Sequence, residues 1–103
     1  MEKSIPHYRL EEIQAVVAAC AMDAFTATAQ RGVDGMGLSA EEALAVIAAL
    51  DRSMFYKSMT TYADHRVWQD VYHALCPNGL MAYIKCTRRE GGVVVIQFKE
   101  LSP

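Results

Sequence analysis

The sequence predicts an α+β fold, with N-terminal helices packed on one face of a C-terminal antiparallel sheet of about four strands. Three observations carry this expectation. Apolar residues of the first half recur at helical spacing, β-forming residues dominate from Ser53 onward, and the later runs are joined by short connections that favour antiparallel neighbours.

In the first helix Leu10, Ile13, Val17 and Cys20 form one stripe, with Pro6 near the start and Glu11 and Glu12 in the first turn. Ser39-Ala40-Glu41-Glu42 has the spacing of a capping box, and Leu44, Ile47 and Leu50 follow as the apolar side of another helix. Between them, Gly32, Gly35 and Gly37 leave room for only a short helical piece after Thr26 or Thr28. Four extended runs come next. Met54 to Tyr62 alternates and is rich in Thr and Tyr. Trp68 to Leu75 ends at the turn signal Pro77-Asn78-Gly79. Leu80 to Thr87 leads through Gly91-Gly92 into Val93 to Lys99. The economical topology is a meander.

A chain of 103 residues, 52% of them hydrophobic, is expected to form one domain over residues 1–103 and is not a disordered chain. The longest apolar run, Ala43 to Leu50, stops at Asp51, too short to cross a bilayer. With no secretory layout at the N-terminus and an odd set of cysteines (Cys20, Cys76, Cys86), a cytoplasmic protein with reduced thiols is expected. The net charge of −2 hides an asymmetry. Residues 1–50 carry three basic against seven acidic side chains, whereas residues 51–103 carry seven against five. The second half is therefore the one suited to a polyanion.

Alternation assigns the strand faces. Val94, Ile96 and Phe98 are the core set of the last strand, and Ala82, Ile84 and Cys86 that of the one before. Tyr83, Lys85, Gln97 and Lys99 then share the uncovered face. Lys57 lies in phase with Phe55, Met59 and Thr61, which leaves its direction open. A sheet face lined by Lys, Tyr and Gln suits a phosphate-bearing polymer, although an ordinary solvated face carries the same pattern and is the commoner case.

Most catalytic templates are missing: no glycine-rich phosphate loop, no Cys-x-x-Cys, no His-Glu-x-x-His and no nucleophile elbow. His65, His73 and Cys76 lack a fourth ligand and a zinc spacing, so neither metal nor cofactor is expected. The residue types do suit metal-free cleavage of RNA. Attack by a ribose 2′-OH on its own 3′-phosphate needs a proton acceptor, cations for the charged phosphorane, and a donor for the leaving 5′-oxygen. Lys57, Gln69, Tyr83, Lys85 and Lys99, with His73 in reserve, are the types such a site requires.

One segment is far more specific. Phe55-Tyr56-Lys57-Ser58-Met59-Thr60-Thr61-Tyr62, then Asp64-His65 and Trp68-Gln69-Asp70-Val71-Tyr72, resembles the motility quorum-sensing regulator (MqsR) toxin family of bacterial type II toxin–antitoxin systems. The likeness continues in Pro6-His7, Arg9-Leu10, Tyr83-Ile84-Lys85 and Phe98-Lys99-Glu100. It implies a RelE-like fold and a metal-independent messenger-RNA endoribonuclease preferring GCN-type triplets, especially GCU. It also implies a cognate antitoxin that joins a zinc-binding domain to a helix-turn-helix DNA-binding domain, which places zinc and DNA binding in the partner.

Carried over through these motifs, the family's active-site lysine falls on Lys57, its glutamine on Gln69, its tyrosine on Tyr83 and its second lysine on Lys99. Lys57 and Lys99 would stabilise the phosphorane, Tyr83 would carry a proton or stack on a base, and Gln69 would position a phosphate or ribose hydroxyl. Lys85 joins them as an RNA-backbone contact and His73 as a secondary candidate. The competing expectation is a non-catalytic RNA-binding or antitoxin-pairing module using the same basic face.

Overall fold

The computed structural model describes residues 1–102. Its elements run β1 (Glu2–Lys3), α1 (Leu10–Cys20), α2 (Ala27–Gly35), α3 (Ala40–Ala48), β2 (Phe55–Thr60), β3 (Trp68–Leu75), β4 (Met81–Arg88) and β5 (Val94–Glu100), with single 3₁₀ turns between several of them. The strands form one antiparallel sheet in the order β1-β2-β3-β4-β5, with the helices on one face. The α+β expectation holds, with five strands in place of about four. The added strand is two residues long and pairs Glu2 with Met59 and Lys3 with Ser58. Two residues are too few to show an alternation.

Its anchor is a buried carboxylate. Asp70, on the helix side of β3, is 1% exposed. It accepts the backbone N–H groups of His7 and Tyr8 at 2.9–3.0 Å and the Ser58 hydroxyl at 2.6 Å. The segment behind β1 is thereby tied to β2 and β3, and each bond discharges part of the cost of burying the charge. His7 stacks on Trp68, whose ring also carries the Lys3 ammonium 4.2 Å from its centroid.

The helices begin where their caps direct. Ser39 and Glu42 form the reciprocal capping box that opens α3. Thr26 caps α2 through its side chain, and its own N–H bonds to Ile96 O on the edge of β5. The glycine that argued against a full helix here is what lets α2 lie on the sheet. A Cβ on Gly32 would stand 2.0 Å from the Phe98 carbonyl oxygen, so only glycine permits that approach.

The core contains Ile13, Val17, Phe25, Val33, Ile47, Tyr72, Ile84, Ile96 and Phe98. The core faces read from β4 and β5 are buried as expected. Cys20 departs from its stripe: it ends α1 exposed, because the chain turns at Ala21 into a 3₁₀ turn that carries it off the sheet. No helix among the described residues is long and apolar enough to cross a membrane.

Candidate functional site

A β-bulge settles the direction of Lys57. Phe55 pairs with Tyr72, and Lys57 already pairs with Val71, so Tyr56 is an extra residue in β2. The inserted residue reverses the phase. Phe55 packs toward the core while Lys57 turns to the open face. Directly opposed residues of an antiparallel pair share a face, so the register defines two rows there. One runs Lys57, Val71, Lys85, Gln97; the next runs His73, Tyr83, Lys99. Gln69 lies opposite Met59, one row along from Lys57. The fold therefore brings Lys57, Gln69, Tyr83 and Lys99 onto one surface, together with Lys85 and His73.

Aromatic rings join the two lysines. The Tyr56 ring stacks on His73 with centroids 4.4 Å apart, and His73 lies 5.5 Å from Tyr83. The Lys57 ammonium stands 5.5 Å from the Tyr56 centroid and the Lys99 ammonium 5.3 Å from that of Tyr83. The result is a strip across β2 to β5 with a cation at each end. Exposed ring faces and ammonium groups side by side are the groups that can stack on bases and pair with phosphates. His73 Nε2 is buried with no hydrogen-bond partner among the described residues.

The lysines differ in their charge environment. Lys57 Nζ donates to Glu2 Oε1 at 2.6 Å, and this bond raises the lysine pKa while lowering that of Glu2. Lys85 is pushed below the ordinary lysine range, first by burial and then by the charge of Lys99. Lys85 and Lys99, with Thr28, Tyr83, Gln97 and Phe98, line a cavity of ≈ 180 Å³ at the β5 side. There the Thr26 hydroxyl donates to Gln97 Oε1 at 3.0 Å, which leaves the Gln97 amide N–H groups to donate elsewhere. A roomier cavity of ≈ 480 Å³, bordered by Tyr8, Arg66 and Arg89, contains none of the six candidate residues.

Such a surface can bind a single-stranded polyanion along its strip, meet its phosphates with an ammonium group at each end, and supply hydroxyl and ammonium protons. Sequence reasoning missed two of its members. Tyr56 stood inside the most specific motif, but the residue pattern gave it no face, because the register shift that decides it lies at Tyr56 itself. Glu2 gave no signal, since a two-residue strand has no period.

A family model described as "Motility quorum-sensing regulator, toxin of MqsA" matches residues 5–100. The mRNA interferase toxin MqsR of Escherichia coli strain K12 is 41% identical over 100 residues, covering 97% of this chain and 99% of that protein. With nearly the whole chain matched in both comparisons, it belongs to the motility quorum-sensing regulator toxin family.

Proposed function

We propose that this chain is the toxin of a type II toxin–antitoxin pair and that it cleaves messenger RNA on the open sheet face without a metal ion. The observation that carries the reading is the aromatic strip with Lys57 at one end and Lys99 at the other. Its relative in E. coli is named an mRNA interferase, which supports the same substrate class here.

In this reading the long side chains of Lys57 and Lys99 swing from the two ends of the strip onto the scissile phosphate. As the 2′-OH adds to phosphorus, the two ammonium groups stabilise the growing charge, an effect worth about 10²–10³ in rate for one well-placed group. Gln69 holds a phosphate oxygen or ribose hydroxyl, and the Tyr83 hydroxyl protonates the departing 5′-oxygen. Lys85 and His73 hold the flanking RNA by charge and stacking. Cuts favour GCN-type triplets, GCU first. The cognate antitoxin joins a zinc-binding domain to a helix-turn-helix domain and silences the toxin in the cytoplasm.

The test is incubation of the purified chain with messenger RNA in EDTA, with and without translating ribosomes, followed by analysis of the new ends. The reading expects 2′,3′-cyclic phosphate termini at a recurring triplet. RNA left intact under both conditions contradicts it.

A further inference from the structure

The proposed reaction needs a group to take the proton from the attacking 2′-OH. The open face carries one carboxylate in contact with a site lysine. Glu2 is held on β1, opposite Met59, with Oε1 2.6 Å from Lys57 Nζ. The pairing extends one residue beyond Glu2, where Thr60 N–H bonds to Met1 O and the N-terminal ammonium bonds to Thr60 Oγ1. The Glu2 side chain is 62% exposed while that of Lys57 is 29% exposed, so the carboxylate stands on the solvent side of the lysine. Glu2 also borders a cavity of ≈ 350 Å³ shared with Met59, Thr60, Tyr62 and His65, roomy enough for a ribose and its base. A phosphate on Lys57 with its ribose in this cavity brings the 2′-OH to Glu2.

We infer that Glu2 is the general base of the cleavage step. The inference rests on the reading that Lys57 binds the scissile phosphate. In the free protein Glu2 is the partner of Lys57, and the hydrogen-bonded ammonium keeps the carboxyl below the usual carboxylate range, so it is ionised at neutral pH. An arriving phosphate takes over the ammonium. Glu2 then loses its counter-charge and gains an anionic neighbour, and both changes strengthen its hold on a proton. Binding of the substrate thus converts a paired carboxylate into a base. The 2′-OH proton passes to Glu2 as the O2′–P bond forms. The P–O5′ bond breaks, and the 5′-oxygen takes the Tyr83 proton. Exchange with water then deprotonates Glu2 and reprotonates Tyr83.

The same geometry makes Glu2 a competitor for Lys57, which gives it a signature that a structural residue lacks. Glu2→Gln is expected to lower kcat by about 100-fold or more, to leave KM unchanged or lower it, and to remove the acid limb of the kcat–pH profile. The charged and titratable groups around Glu2 are Lys57, the N-terminal ammonium, and Tyr62 and His65 across the cavity, so the limb is compared in wild type and variant under identical salt. Thermal midpoints confirm that both are folded. Cleavage by Glu2→Gln as fast as wild type or faster overturns the inference, as does a loss confined to a raised KM with the acid limb intact. Lys57→Ala runs beside it. An inactive Lys57→Ala with a fully active Glu2→Gln removes Glu2 alone, whereas a fully active Lys57→Ala removes the underlying reading as well.

Discussion

Ser58 and Asp70 meet beneath the sheet, where the Ser58 hydroxyl donates to the Asp70 carboxylate at 2.6 Å and both side chains are buried. The neighbouring residue Lys57 faces the opposite way. One short motif thus serves both faces: its lysine reaches the open surface and its serine pins β2 to the carboxylate that holds the N-terminal segment.

Asp70→Ala removes the acceptor of two backbone N–H groups and of a buried hydroxyl, and is expected to cost about 3 kcal/mol. Ser58→Ala removes one donor and is expected to cost about 1–2 kcal/mol. Urea unfolding of the two variants beside wild type checks the order. Equal stability of Asp70→Ala and wild type would contradict the anchoring role.

Gly32→Ala places a methyl group against the Phe98 carbonyl, where no backbone can give way without shifting α2 from β5. The expected loss is about 1–3 kcal/mol, in spite of the better helix propensity of alanine. A rise in thermal midpoint would contradict the close approach.

Lys85 carries a signed pH dependence. Its folded pKa lies below the unfolded value, because burial and Lys99 disfavour its charge. The unfolded chain therefore holds this proton more tightly, and the penalty on the fold is present at neutral pH. The penalty disappears as pH rises through the window between the lowered value and the ordinary lysine value of about 10.4. Lys85→Met is expected to raise the thermal midpoint at pH 7, with the gain shrinking toward pH 11. The same variant should bind RNA more weakly and reduce the slope of log K against log salt by about 0.7, the value for one phosphate contact to a single strand. An unchanged slope would remove Lys85 from the RNA path.

Tyr83→Phe separates two roles of one ring. It keeps the stacking surface beside His73 and Lys99 but removes the hydroxyl. As proton donor to the 5′-oxygen, Tyr83 should lose about 10²-fold or more in kcat on this change, with RNA affinity retained. Unimpaired turnover would make it a stacking residue.

Much of the fold was legible because long alternating runs have an unmistakable period. β3 begins and ends where its residues predict, and the buried sets of β4 and β5 follow from alternation alone. The misses share a cause: they depend on partners distant in sequence. β1 exists because Asp70 and β2 hold it, and the reason α2, which starts after Thr26 as expected, carries Gly32 lies in a strand more than sixty residues away. The open-face position of Tyr83, Lys85, Gln97 and Lys99 was readable from phase. That of Lys57 was not, since the bulge at Tyr56 leaves no mark in residue types. Glu2 reaches the surface only through tertiary pairing.

Cleavage of RNA on the lysine-ended strip, as proposed, depends on Lys57 and on no metal ion. The most direct measurement is fragment-end mapping of messenger RNA treated in EDTA with wild type and with Lys57→Ala. Cuts at a recurring triplet are expected from wild type and should fall by about 100-fold or more in the variant. The same cuts at the same rate from Lys57→Ala would contradict it.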